Sequence, residues 1–344
     1  MKLIKTVDAQ GQVLCHDITQ IIRGEKKGPV FKKGHVITQE DIPVLLSVGK
    51  DQLYIWEKDE RMLHENEAAE VLCRICKGNH MDRSEVSEGK IELTAREDGL
   101  FKIHREALKR VNGLGQMMIA SRHGDVPVKR GDKLAATRII PLVIEKEKME
   151  EAQRAAGEEP IFEILPFKQK KAGLVTTGNE VYYKRIEDTF TPVIEQKLAE
   201  YGAEVTVHEI LNDDHKKITD TIHKMIEQGV DMVLCTGGMS VDPDDKTPLA
   251  IKNTGARVVT YGAPVLPGAM FLLAYYEKDG RSIPVMGLPG CVMYAGRTIF
   301  DLILPRVIAE DEVTAEELAS LGEGGLCLNC AECRYPECGF GKGR

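Results

Sequence analysis

Four apolar residues in a row, Met232-Val233-Leu234-Cys235, followed at once by Thr236-Gly237-Gly238, constrain this chain more than any other stretch. A run that short, without polar alternation, is the pattern of a strand buried on both faces, and such strands sit in parallel sheets covered by helices. The two glycines end it where the backbone must take positive φ or approach a ligand closely. Ser240 and three carboxylates, Asp242, Asp244 and Asp245, follow, and Thr247-Pro248 reads as a helix start with Thr as N-cap. Strand, glycine turn and helix start form an anion cradle of free N–H groups. Carboxylates beside such a cradle suit a magnesium ion bridging phosphate and protein. A plain βα turn with a solvated acidic loop accounts for the glycines alone; serine, acids and Thr-Pro together favour a binding loop.

The flanking sequence repeats this rhythm. Residues 173–176 read as a strand, 191–201 as a helix begun by Thr191-Pro192, 205–211 as a strand and 215–228 as a helix with Ile218, Ile222, Met225 and Ile226 on one face. Residues 270–276 and 282–286 form a hairpin around Lys278-Asp279-Gly280, and a helix over 292–308 follows. Alternating strands and helices with short turns predict an α/β domain, a mainly parallel sheet sandwiched by helices. Ligands of such sheets bind beyond the carboxyl ends of the strands. That rule gathers four loops: Thr177-Gly178-Asn179-Glu180, Asn212-Asp213-Asp214, the loop from Thr236 to Asp245, and Gly287-Leu288-Pro289-Gly290. Together they offer glycine-lined cradles and the acids Glu180, Asp213, Asp242, Asp244 and Asp245, a donor set for a phosphate with one Mg2+. Lys184, Arg185 and Lys246 are candidate counter-charges, and Asp214 is equally suited to cap the following helix.

Thr236-Gly237-Gly238-Met239-Ser240 through Asp245 resembles the TGG-x-S-x-G-x-x-D loop of the molybdopterin-binding family, and Asp245-Lys246-Thr247-Pro248 its D-x-T-P. Thr177-Gly178-Asn179-Glu180-Val181 is similar to that family's T-G-D-E-L, and Gly287-Leu288-Pro289-Gly290 to its G-L-P-G, in the same order over residues 171–311. The resemblance implies binding of molybdopterin or its adenylated form with Mg2+, and a role in molybdenum-cofactor biosynthesis of the molybdenumtransferase kind, assisting molybdate insertion. It implies Glu180, Asp213 and Asp245 as catalytic, with Thr177, Gly178, Thr236, Gly237, Gly238, Ser240, Asp242, Gly287, Pro289 and Gly290 around the pterin ligand. Glu180, Asp214, Asp244 and Asp245 are the implied magnesium ligands, with Asp213 and Asp214 both open for one position. It also implies a homodimer.

The departures bear on the reaction. Cys291-Val292-Met293-Tyr294 stands where the family has N-P-V-S, and Leu266-Pro267-Gly268 lacks the lysine of K-P-G. Pterin-phosphate binding is thus better supported than molybdate handling. Two other readings stay open: a non-catalytic molybdopterin carrier or sensor, and a nucleotide pyrophosphatase, because Asp244-Asp245-x-Thr247 is similar to the D-D-x-T of competence-damage-type proteins.

Ahead of this domain, residues 1–58 read as a small β-rich domain and 59–165 as an α+β or barrel-like domain with a connector helix over 145–156. Cys73 and Cys76 fall on one helix, where packing explains them more simply than metal. Residues 312–344 read as a flexible glycine linker and a cysteine-rich tail: Cys327-x2-Cys330-x2-Cys333-x4-Cys338. The first three resemble the bacterial ferredoxin ligand run; an all-cysteine zinc site needs the same number of thiolates. Iron–sulfur or zinc is therefore expected there. A net charge of −8 argues against a nucleic-acid partner, and no apolar run approaches a membrane span. The opening residues lack the apolar core of a signal peptide, so a cytoplasmic location is expected.

Overall fold

The computed structural model describes residues 2–22, 26–55, 59–240, 242 and 245–343. The chain forms two compact units: residues 1–94, 104–122 and 133–163 make one, and residues 95–103, 123–132 and 164–344 the other.

The second unit is built on six strands, β1 (Lys170–Thr177), β2 (Ala203–Leu211), β3 (Met232–Thr236), β4 (Arg257–Tyr261), β5 (Leu272–Lys278) and β6 (Arg281–Leu288). They lie in the order β2-β1-β3-β6-β5-β4. The first four in that order are mutually parallel, and β5 runs antiparallel to both its neighbours. Its helices are α1 (Asn179–Tyr182), α2 (Thr191–Ala199), α3 (His215–Glu227), α4 (Thr247–Asn253), α5 (Ile299–Ile308) and α6 (Ala315–Ser320). Successive residues of β3 feed opposite cores. Met232 and Leu234 pack with Leu198, Phe300 and Ile303 on the α2 and α5 side, whereas Val233 and Cys235 pack with Ile222, Met225 and Ile251 on the α3 and α4 side. This is the helix-covered, mainly parallel sheet expected from the uninterrupted apolar run. All ten residues of α5 are buried, since the small strands Gly99–Ile103 and Val126–Val128 also pack on it.

Three local features differ from the sequence reading. Thr191 and Thr247 are not N-caps: both lie inside their helices, and neither helix has a side-chain cap. Asp188 does the work for α2, accepting from the amides of Phe190 and Thr191 at 2.9 and 3.0 Å. The single helix expected over 292–308 is two pieces, a 3-10 turn at Gly290–Met293 and then α5. The break is fixed by a capping box in which Asp301 accepts from Thr298 N at 2.8 Å.

The third difference is the tail, which is not a separate module on a flexible linker. The amide of Leu266 donates to Gly325 O and that of Cys327 to Leu266 O, both at 2.8 Å. Gly325 is buried, and a Cβ there would stand 2.2 Å from Pro264 O. Phe340 is 5% exposed within the α5 core, and Tyr335 donates its phenol to Asp301 O at 3.1 Å.

Asp301 is also the electrostatic centre of this face. Its side chain is 2% exposed and takes Lys197 at 2.7 Å and Arg297 at 2.9 Å. Asp301→Ala removes the cap and leaves the Lys197 ammonium, itself 8% exposed, without its carboxylate. A loss of about 3 kcal/mol in denaturant-unfolding stability is expected; a change within about 0.5 kcal/mol would mean that the pair contributes nothing net.

In the first unit, the strands Lys2–Lys5 and Gln52–Ile55 pair antiparallel near a hairpin of Ile18–Ile22 and Lys26–Phe31. A four-stranded sheet of Met81–Arg83, Lys90–Ala95, Lys133–Ile139 and Met117–Ser121 follows, with helices Glu65–Cys76, Arg105–Gly113 and Lys146–Ala156. Cys73 and Cys76 are 3% and 0% exposed on their helix, core residues whose thiols burial pushes upward.

Candidate functional site

The four loops leave β1, β2, β3 and β6 at one edge of the sheet, because those strands are parallel. Direct contacts join the loops to one another. The Thr177 hydroxyl lies 3.1 Å from that of Thr247, and both side chains are buried. Gly237, at φ 82°, brings its Cα so close to Thr177 that a Cβ would stand 2.1 Å from the Thr177 carbonyl oxygen. The amide of Asn179 donates to Asp213 Oδ2 at 3.1 Å, tying the first loop to the second. Met239 lies against Gly287, its sulfur 2.5 Å from where a Cβ there would stand, which ties the third loop to the fourth.

The acids fall in two groups. Glu180 is exposed and turns back over Gly178, its carboxylate oxygens 3.1 and 3.2 Å from where a Cβ on that glycine would stand. Asp213 belongs with it through Asn179. On the other side Asp242 and Asp245 close their own loop: the amide of Asp245 donates to Asp242 O at 2.9 Å and that of Asp242 to Asp245 Oδ2 at 3.3 Å. Asp214 caps α3, accepting from the amides of Lys216 and Lys217 at 3.0 and 3.4 Å. Asp244 lies outside the described residues. Ser240 and Gly290 are exposed, and Gly178, Gly287 and Pro289 are buried. Among the described residues no three His, Cys, Asp or Glu side chains converge on one point as ion ligands. Of the candidate counter-charges, Lys184 and Arg185 are exposed, and the Arg185 guanidinium stands 5.4 Å from the centre of the Tyr183 ring.

Several residues at this edge carry no sequence signal. Tyr261, at the end of β4, donates its phenol to Met239 O at 3.0 Å and so steadies the glycine loop. Its phenol is pushed up by burial and, less, by the Asp245 carboxylate. Behind the first loop, the Thr176 hydroxyl meets His208 Nε2 at 3.0 Å and Thr191 donates to Asp188 at 2.6 Å. Burial alone would raise the Asp188 carboxyl, but the hydrogen bonds from Thr191 and Phe190 outweigh it and hold it below the usual range. Among the described residues, Thr236 Oγ1, Asn212 Oδ1 and His215 Nδ1 are buried without a hydrogen-bond partner. Buried polar atoms without partners are costly; here one stands at the end of β3, one just beyond β2 and one at the start of α3, beside the gathered loops. Thr236 and Asn212 lie in loops that the sequence already singles out, whereas His215, the first residue of α3, is not among its candidates.

Comparison with known proteins agrees on this unit. Residues 173–325 match a family model described as "Probable molybdopterin binding domain", and residues 3–57 match one described as a domain of unknown function. A competence-damage inducible protein of Bacillus cereus (strain AH187) is 26% identical over 129 residues, 38% of this chain and 30% of the relative. The chain therefore spans under a third of the length of the curated relatives it matches. Among solved structures, a molybdenum cofactor biosynthesis protein from Corynebacterium diphtheriae is similar at 12% identity and a TM-score of 0.34, over 42% of this chain and all of that one. The tungsten cofactor synthesizing protein MoaB from Pyrococcus furiosus is 20% identical with a TM-score of 0.32, over 42% and 89%. This chain thus carries a region similar to molybdopterin-binding domains. Among the described residues no helix is long and apolar enough to cross a membrane.

Proposed function

We propose that the α/β unit binds a pterin phosphate, molybdopterin or its adenylated form, and acts in molybdenum-cofactor assembly as a molybdenumtransferase-like enzyme. The observation that carries this reading is the joining of four loops at one sheet edge, with the orphaned polar atoms of Thr236, Asn212 and His215 among them. With a net charge of −8, the chain must hold an anion by local donors, and the amides around Gly178, Gly237 and Gly238 are such donors. Thr177, Ser240 and the 287–290 turn complete the proposed binding surface, as the resemblance implies.

The hard carboxylate oxygens fit Mg2+, which keeps several waters and takes one or two carboxylates beside a substrate phosphate. Glu180 with Asp213, or Asp242 with Asp245, would hold it; Asp213 is preferred to Asp214, which is engaged as a helix cap. The ion supplies neutralisation of phosphate charge. A homodimer in the cytoplasm completes the reading, and the tail's four thiolates add a soft-metal site, iron–sulfur or zinc.

Turnover of adenylated molybdopterin, with and without molybdate, tests the activity. AMP released only with molybdate is expected. Binding without turnover would make the protein a carrier or sensor; hydrolysis of unrelated dinucleotides would favour the pyrophosphatase reading, which the similarity to competence-damage inducible proteins keeps alive. Asp245→Asn is expected to weaken Mg2+-dependent binding at least tenfold in calorimetric titration while leaving the melting midpoint unchanged, because it removes charge from a crowded acidic loop. Unaltered affinity and magnesium dependence would remove Asp245 from the site.

A further inference from the structure

We propose that Cys327, Cys330, Cys333 and Cys338 ligate one iron–sulfur cluster seated in a cavity against α5, making the cluster an integral part of the α/β unit. The inference rests on the soft-metal reading of the tail and is independent of the pterin reading. All four cysteines line a single cavity of about 420 Å3, together with Arg297, Tyr335 and other tail residues. The remaining five cysteines are of a different kind. Cys15, Cys73, Cys76 and Cys235 are buried, Cys291 is half-buried, and burial raises every one of these thiols, Cys235 to about 12.

The cavity has a built wall. Tyr335 is fixed by its hydrogen bond to Asp301 O, by the Arg297 guanidinium 5.3 Å from its ring centre, and by edge contact with Phe340. Cys327 is anchored through its amide to Leu266, and Cys338 packs against the α5 core, while Cys330 and Cys333 are exposed at the rim. Two ligands are thus set by the body of the protein and two remain accessible for cluster loading.

Size and charge choose among soft metals. A single zinc ion draws four sulfurs to about 2.3 Å from one centre, a space far smaller than this cavity of about 420 Å3. Four cysteines around a cavity of that size fit a [4Fe–4S] cluster, in which each thiolate binds its own iron. Four thiolates on a cluster carry net negative charge, and Arg334 in the cavity lining complements it, whereas Arg297 there is paired with Asp301 and Glu200. Magnesium and calcium are unsuited to an all-sulfur donor set.

The full chain, purified without oxygen or chelator, tests this. Iron and acid-labile sulfide in nearly equal amounts are expected, with a broad absorption near ~400 nm that dithionite bleaches. Cys330→Ser and Cys333→Ser should each lower bound iron severalfold, with far-ultraviolet circular dichroism unchanged because both residues are exposed; Cys291→Ser should retain it. Zinc as the bound metal, metal-free protein with four titratable tail thiols, or iron retained in both rim variants would each overturn the proposal. Pterin affinity, measured on the same preparations, reports on the other site separately.

Discussion

Gly237→Ala is expected to abolish pterin-phosphate binding and to lower the unfolding free energy by about 4 kcal/mol. Two costs add. At φ 82° an L side chain meets its own backbone, worth about 1–2 kcal/mol, and the new methyl would stand 2.1 Å from Thr177 O. That oxygen belongs to the last residue of β1, and the strand is hydrogen-bonded on both sides, so it cannot retreat without disturbing the sheet. The two loops must therefore separate, which also breaks the contact between the Thr177 and Thr247 hydroxyls. Ser240→Ala, on an exposed position of the same loop, is the control for stability and should change it by less than about 0.5 kcal/mol. A Gly237→Ala protein with the parent's denaturation midpoint would show that the close approach of the two loops is not required.

Removing residues 323–344 is expected to cost more, about 5 kcal/mol or beyond, and to bring the α/β unit close to unfolding. The segment covers α5 with Phe340, 5% exposed, and with the Tyr335 ring, whose phenol burial pushes well upward. Loss of one buried aromatic side chain costs about 3–5 kcal/mol. The truncation also frees the Leu266 amide and carbonyl, which bond Gly325 and Cys327. Phe340→Ala in the full chain is the milder form, with a loss of about 3 kcal/mol expected from urea unfolding. A truncated protein that melts with the full-length chain would restore the tail to an independent appendage.

Those two results probe what was hardest to see in the chain. Periodicity placed β3 on both cores and the amphipathic stripe of α3 on one of them, because side-chain alternation along a strand or helix is a local property. The turn of β5 into β6 was equally local: Asp279 and Gly280 take φ of 50° and 74°, the left-handed pair that the dipeptide favours. The edge that gathers the loops also followed, since strand direction alone decides where the carboxyl ends lie. Capping was less legible. Thr191 had the composition of an N-cap, but Asp188 reaches the same amides from further upstream, and local preference does not separate the two.

The sequence by itself determined the helix-covered parallel sheet, the four loops at its edge and the residue types available there, all consequences of short-range pattern and chain direction. Tertiary structure alone decided which of those residues meet. Thr177 and Thr247 are 70 positions apart, as Tyr335 and Asp301 are 34, and nothing in the intervening residues encodes either contact. Tertiary structure also decided the fate of the tail. A glycine that gives a linker freedom and a glycine that makes room for a neighbouring carbonyl are the same letter, and only the packed neighbour, Pro264 O beside Gly325, distinguishes them.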